Sequence, residues 1–360
     1  MLITNKMELE KYTVETRCWQ GIPSIAVTRN GRLFVCFYSG SITEDLGNYC
    51  ILYSSDNDGN TWQEEAVAHF GERSRAFDPC VWIDCKDRLW FFYSTTPQQK
   101  VYAVVCDNPD AKEIVFSTER EIGGEVMLNK PTVLSNGEWW LPVSVWGKGA
   151  MNSSQLLKGV YQTLDEREIA RKAFAVVSKD YGKTFEKRGG ALPKERSFDE
   201  HMFLETKDGV LSFIRVNYGI GKSVSTDGGF TWTEVVDTEW FSPDTRFFIT
   251  RLASGNILLV GHQKGDDPES PNQRTKLTAF LSTDGGITWA HKLLLDERIN
   301  VSYPDGQEND GYIYITYDRD RRGDGEILLA KFTEQDIIDG QINSKGYIKK
   351  IITKLNKKMD

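Results

Sequence analysis

Ser225-Thr226-Asp227-Gly228-Gly229-Phe230-Thr231-Trp232 decides the fold, because it comes back. It returns as Ser282-Thr283-Asp284-Gly285-Gly286-Ile287-Thr288-Trp289 and, more loosely, as Ser178-Lys179-Asp180-Tyr181-Gly182-Lys183-Thr184-Phe185. A fourth copy, Ser55-Asp56-Asn57-Asp58-Gly59-Asn60-Thr61-Trp62, carries Asn in place of Asp. The shared pattern is S-x-D-x-G-x-T-W/F, and four copies are not chance. Its chemistry is that of a turn. Ser and Asp oxygens accept from nearby backbone N–H groups, Gly permits a positive φ, and the closing Trp or Phe starts the next strand with a large apolar face. Each copy is therefore a hairpin connection with a structural role.

The spacings extend this reading. Ser178 to Ser225 is 47 residues, Ser225 to Ser282 is 57, and Ser55 to Ser178 is 123, about two periods, so one copy has decayed between them. A weaker repeat runs in step: an apolar run, a polar turn and a second apolar run. Its copies are the stretch Ile22–Phe37 containing IAVTRNGRLFVCF, then Val81–Tyr93, Thr132–Val143, Phe203–Ile214, Phe248–Gly261 and Asp305–Thr316. The turns fall at Gly31, Asp87, Gly137, Gly209, Gly255 and Gly311. Six units of four short strands each predict an all-β chain, a single six-bladed β-propeller domain over residues 1–360.

Two segments break the period. Ser153–Ala173 reads as a helical insertion, with Leu156, Leu157, Val160, Tyr161 and Leu164 on one stripe, either a lid or a packed excursion. The Lys-rich tail Lys345–Lys358 reads as a solvated final helix or strand, or as a membrane-surface patch.

Composition narrows the function classes. Lys and Arg total 44 against 52 Asp and Glu, a formal net charge of −8, the wrong balance for tracking nucleic-acid phosphates. No apolar run is long enough to span a membrane, and the first twenty residues lack a signal-peptide core. The six cysteines (Cys18, Cys36, Cys50, Cys80, Cys85, Cys106) form no C-x-x-C pair and read as buried thiols of a reducing compartment. A cytoplasmic protein is the expectation, with an already removed leader as the open alternative. No phosphate loop, dinucleotide fingerprint, EF-hand or zinc spacing occurs, so neither cofactor nor metal is expected. The oligomeric state leaves no trace.

In a propeller the innermost strands converge on one concavity, so the residues just before each inner run are the informative ones. They are Gln20-Gly21-Ile22-Pro23, Phe77-Asp78-Pro79, Asn129-Lys130-Pro131, Asp199-Glu200-His201, Asp244-Thr245-Arg246 and Ser302-Tyr303-Pro304-Asp305. Five of the six carry a charged or phenolic group, which points to a small polar ligand, anionic or hydroxyl-rich.

The octapeptides resemble the Asp boxes of the sialidase (neuraminidase) superfamily, which has six-bladed propellers, and the resemblance runs over nearly the whole chain. Further positions match. Glu200 precedes Glu205-Thr206-Lys207-Asp208-Gly209 and is followed by Arg215; Arg274-Thr275-Lys276-Leu277-Thr278 precedes the box at Ser282; Val301-Ser302-Tyr303-Pro304 follows it; Glu44-Asp45 lies in the loop before the first box. One departure is large. The family opens its first blade with R-I-P, whose Arg is one of three that clamp the sialic acid carboxylate, and this chain has Gly21-Ile22-Pro23. His201 is a second departure.

What the resemblance implies is an exo-acting glycoside hydrolase on an acidic or unusual terminal sugar. Tyr303 is then the nucleophile, Glu200 accepts its proton, and Glu44 or Asp45 is the acid on the leaving oxygen. Arg215 and Arg274 bind the substrate carboxylate or hydroxyls, and His201 acts as acid/base or orients a hydroxyl. Arg246 and Lys130 are substitute cations, and Asp78 is a further rim group. Each also has a plain structural reading: an inter-blade hydrogen bond for Tyr303, an Arg pair for Glu200, ion pairs for Arg215, Asp78 and Lys130, a surface charge for Arg274, a core histidine for His201. The alternatives in function are a propeller that only binds a glycan or protein, and a uronate glycan lyase using Tyr303 and His201.

Overall fold

The computed structural model describes residues 1–40, 43–147, 163–270 and 272–356. Its strands form six antiparallel sheets, each a meander in chain order. The first blade is Trp19–Val27, Leu33–Gly40, Tyr49–Ser55 and Gln63–Ala68, with Leu2–Ile3 added outside as a fifth strand; the second is Arg75–Ile83, Leu89–Thr96, Lys100–Cys106 and Arg120–Glu121. The third is Thr132–Val133, Trp139–Ser144, Ala173–Ser178 and Glu186–Ala191; the fourth is Arg196–Thr206, Gly209–Val216, Gly219–Ser225 and Val236–Asp237. The fifth is Phe248–Arg251, Ile257–His262, Leu277–Ser282 and His291–Asp296; the sixth is Val301–Asn309, Tyr312–Arg319, Glu326–Phe332 and Tyr347–Thr353. The fold is the six-bladed β-propeller that the repeat predicts.

Both repeats map onto fixed connections. The six turns at Gly31, Asp87, Gly137, Gly209, Gly255 and Gly311 join first to second strand, and every one has a positive φ. The four boxes join third to fourth strand, with their Ser as the last residue of the third. The Ser Oγ donates to Oδ1 of the third-position Asp or Asn at 2.8–3.0 Å and accepts from the Gly N–H at 2.8–3.0 Å. The Thr N–H returns to that Oδ1 at 2.9–3.0 Å. Each loop is thus satisfied by its own side chains. The decayed copy is the second blade's connection between Cys106 and Arg120. The sixth blade uses the helix Glu334–Asp339 instead, capped by Thr333, with Asp336 accepting from the Asn343 and Ser344 N–H groups.

By contacts the chain divides into two compact units, each described by itself: Met1–Phe91 with Val104–Glu119 and Thr245–Asp360, and Phe92–Ala103 with Arg120–Asp244. In the first unit, the first and sixth blades share an apolar cluster that includes Ile25, Val27, Leu33, Val35, Ile327, Leu329 and Tyr314. Polar contacts knit the same two blades. Asp305 accepts from Ser24 Oγ at 2.7 Å, the Ile25 N–H at 2.9 Å and Arg246 Nη2 at 3.0 Å. In the second unit, the box residue Trp232 stacks on Phe203 at 5.7 Å and meets Trp140 edge-on at 6.3 Å, a wedge between the third and fourth blades.

The expected helix needs correction. Residues 153–162 of it, with Leu156, Leu157, Val160 and Tyr161, lie outside the described residues. The described helix is only Leu164–Ala170, opened by a capping box of Thr163 and Glu166. Its Arg167 is buried against Glu125 at 2.5 Å. Ala173 already belongs to a strand, whose sequence AFAVVS favours the pleat. The tail is a strand, Tyr347–Thr353, one of the expected forms, and lysines there make exposed ion pairs: Lys349 with Glu297 at 2.9 Å, Lys354 with Asp324 at 3.3 Å. Cys36, Cys50, Cys80 and Cys106 are buried as expected, but Cys18 and Cys85 are exposed.

Candidate active site

The stretches singled out at the starts of the inner strands share a backbone device. Strand register breaks between Gly21 and Ser24, between Arg196 and His201, and between Ser302 and Asp305. At these bulges, and at the matching place in the second blade, a non-glycine residue sits in the left-handed region: Ile22 (φ 56), Asp78 (φ 48), Asp199 (φ 56) and Tyr303 (φ 54). Such a conformation costs roughly 1–2 kcal/mol per residue. Bulges re-aim side chains at rims and active sites.

In the first unit, Tyr303 is held under two guanidiniums. The Arg321 Cζ lies 4.0 Å from its ring centroid and the Arg274 Cζ 5.6 Å. Its neighbours, though not Tyr303 itself, line a cavity of about 360 Å³, whose walls include Trp19, Glu44, Arg274, Ser302, Arg321 and Arg322. Glu44 reaches Arg321 Nη1 at 3.5 Å. Asp45 differs: its Oδ1 accepts from the Leu46 N–H at 2.7 Å, and it is not in the cavity wall. Asp318 organises this corner. Its Oδ2 accepts from Arg321 Nε at 2.7 Å and from the Ile22 N–H at 2.7 Å, and its Oδ1 accepts from Ser302 Oγ at 2.6 Å. With Asp318 and Tyr303 alongside, the Arg321 guanidinium is held firmly protonated even though burial works against it.

Two other predicted residues of this unit are buried. Arg246 was a candidate substrate cation; its side chain has no exposed surface and is committed to Asp305 and, at 3.2 Å, to the Pro23 carbonyl. Asp78 is buried in the second blade's first strand, with φ 48.

In the second unit, Glu200 and Arg215 meet. Arg215 Nη1 donates to Glu200 Oε1 at 2.9 Å, its Nε to Asp244 Oδ1 at 2.7 Å, and its guanidinium lies 4.7 Å from the Phe198 ring centroid. His201 is fully buried, with Nε2 2.9 Å from the Phe174 carbonyl and Nδ1 3.0 Å from the Asp199 carbonyl. Burial lowers its pKa, so the ring is neutral and packed, without the access that acid/base work on a sugar requires. Lys130 is also buried, and its neighbour Asn129 donates to the His201 carbonyl at 2.7 Å. Tyr303 and Glu200 belong to different units.

Sequence reasoning passed over Arg321 and Asp318 as site groups. The available signal was the run Asp318-Arg319-Asp320-Arg321-Arg322 at the end of a predicted sixth-blade strand. Among the described residues no group of three or more His, Cys, Asp or Glu could hold a metal ion, and no helix is long and apolar enough to cross a membrane.

Asp-box blades carrying a tyrosine between guanidiniums, with a carboxylate across the cavity, define a propeller of the sialidase type. The comparisons agree. The profile of the BNR repeat-like domain matches residues 31–315, and the chain belongs to that family. A curated relative, a sialidase of Bacteroides fragilis (strain YCH46), is 25% identical over 314 residues, which cover 78% of this chain and 56% of the relative. The chain thus spans little more than half the length of that protein. Among solved structures, the Hadza microbial sialidase Hz136 superposes with a TM-score of 0.65 at 17% identity, covering 89% of this chain and 66% of that one. A protein of unknown function from Dyadobacter fermentans DSM 18053 gives 0.61 at 17% identity, covering 88% and 94%. Trypanosoma rangeli sialidase in complex with sialic acid gives 0.61 at 16% identity, covering 87% and 54%.

Proposed function

We propose that the protein is an exo-acting glycoside hydrolase on a terminal sugar that is acidic or otherwise unusual, with Tyr303 as nucleophile. The observation that carries this reading is Tyr303 itself, set on a strained bulge at φ 54 under the Arg321 and Arg274 guanidiniums. A purely structural tyrosine has no need of that arrangement. The phenolic oxygen attacks the anomeric carbon as the glycosidic C–O bond breaks. Glu44, at the cavity wall, gives a proton to the leaving oxygen, and the proton of the phenol passes to solvent. Water then releases the sugar from the tyrosyl intermediate. The neutral phenol also avoids the repulsion that a carboxylate nucleophile meets beside an anionic sugar.

The test is hydrolysis of a panel of aryl glycosides (sialosides, uronides, neutral deoxy sugars) by the wild type and Tyr303→Phe. Turnover of one sugar that vanishes in the variant supports the hydrolase. Equal turnover by both proteins removes Tyr303 as nucleophile. No turnover of any member moves the reading to a glycan-binding propeller. The uronate lyase alternative takes its acid or base from His201, whose ring is fully buried.

A further inference from the structure

Position 21 is glycine, and the space a side chain would fill there is already taken. A Cβ built on Gly21 would lie 2.6 Å from Arg321 Cδ and 2.7 Å from its Nε. A side chain at 21 and Arg321 in its present position therefore exclude each other. We propose that Arg321, delivered from the sixth blade across Gly21, is the ligand for the substrate's carboxylate in this protein and the residue that sets its preference for acidic sugars. The inference rests on the reading that the Tyr303 cavity holds the sugar.

Three observations support it. Arg321 is built in: Asp318, itself without exposed side-chain surface, fixes the Nε at 2.7 Å and ties the same corner to the Ile22 N–H and Ser302 Oγ. Among the described residues its terminal nitrogens make long contacts, Nη2 to Ser302 Oγ at 3.3 Å and Nη1 to Glu44 Oε1 at 3.5 Å, and the fork that suits a carboxylate lines the cavity. The cavity's charge favours an anion: Arg274, Arg321 and Arg322 line it against Glu44 and Asp320, and Asp320 is turned to the Asp324 N–H at 3.1 Å. The first-blade arginine expected by resemblance is thus absent because another guanidinium arrives at its place from a different strand.

The experiment measures binding by titration calorimetry, separately from turnover, for N-acetylneuraminic acid, D-glucuronic acid and the methyl ester of each. The proteins are wild type, Arg321→Met, Gly21→Ala and the exchange variant Gly21→Arg/Arg321→Gly. We expect wild type to prefer at least one acid over its ester. Arg321→Met should weaken that acid by about 30-fold or more while changing the ester less than about threefold. Gly21→Ala, which keeps the charge but displaces it, should weaken the acid by about tenfold, and the exchange should recover part of the preference. An acid preference undiminished in Arg321→Met, or the lack of any acid binding by wild type, overturns the proposal. Acid binding that depends on Arg321, with no hydrolysis of any glycoside, upholds it while the hydrolase reading fails.

Discussion

Glu44 and Asp45 are neighbours in sequence, yet their carboxylates do different work. Glu44 stands in the cavity wall facing Arg321, whereas Asp45 is spent on the Leu46 N–H. A general acid contributes about 10²–10⁴-fold to a rate, and most where the leaving group is poor. Glu44→Gln should therefore lower kcat by about 10²-fold or more on an alkyl glycoside and far less on a nitrophenyl one. Asp45→Asn should leave both within about threefold. Steady-state kinetics on the two leaving groups checks this, and the reverse pattern would exchange the assignments. His262 offers a pH readout at the same scale. It is fully buried, its Nδ1–H donates to the Thr275 carbonyl at 2.8 Å, and burial, with Arg274 nearby, lowers its pKa to about 4. The unfolded histidine protonates near its ordinary value of about 6.5, so the unfolded state binds more protons between the two values. Stability from this group is complete above about pH 6.5 and drains away toward about pH 4, on the order of 3 kcal/mol in all. Denaturant titrations should show this loss, and His262→Gln should flatten the slope, although it lowers stability at neutral pH.

At the scale of the element, the box is a loop whose stability runs through one carboxylate. Hydrogen bonds from the Thr184 and Thr231 side chains and N–H groups hold Asp180 and Asp227 at about 2, and Asp284 is likewise held down. A depressed carboxyl stabilises the fold above its unfolded value of about 3.8 and loses that contribution as pH falls through its folded value. Asp227→Asn should therefore be less stable than wild type at pH 7, with the gap closing between about pH 4 and 2 by denaturant unfolding. A gap that stays constant with pH would mean the amide fully replaces the carboxylate, as Asn57 does in the first box by bonding Thr61 Oγ1 through Nδ2 at 2.8 Å. This local chemistry is why the fold was legible: every box and all six glycine or aspartate turns satisfy themselves within a few residues, so sequence spacing alone exposes them. The helix was less legible, because Arg167 is held by Glu125, a partner 42 residues away. Of the candidate residues, Tyr303 was singled out at a strand start and Arg274 and Glu44 by resemblance, and the structure brings Arg274 to the Tyr303 ring and Glu44 to the neighbouring cavity wall. The site was illegible where a guanidinium crosses from another strand. Asp318–Arg322 is a charge run in the sequence, and it is the missing side chain at Gly21, with Asp318 holding the Nε, that leaves room for Arg321 at the cavity.

For the whole molecule, the question is how the two ends of the blade series stay together. Among the described residues each blade is built from one continuous stretch of chain and no strand is exchanged between the last blade and the first, so side chains carry that join. Asp305 is the centre of the join. Ser24 Oγ and the Ile25 N–H come from the first blade and Arg246 from the segment before the fifth, all onto one carboxylate with no exposed surface. Gln307 adds a paired contact to the Val27 backbone, accepting at 3.0 Å and donating at 2.7 Å. Removing one partner of a buried ion pair strands the other charge and costs about 3–5 kcal/mol, whereas replacing both by apolar groups is often neutral. Arg246→Met should thus destabilise the fold by about 3–5 kcal/mol. Arg246→Met/Asp305→Leu should regain part of the loss but not all of it, because Ser24 Oγ and the Ile25 N–H lose their acceptor. The same cycle separates the join from the site. A residue that only closes the fold lowers the denaturation midpoint and leaves KM unchanged in the fraction that remains folded. A raised KM in Arg246→Met at full occupancy of the fold would instead return Arg246 to the substrate, where sequence alone had placed it.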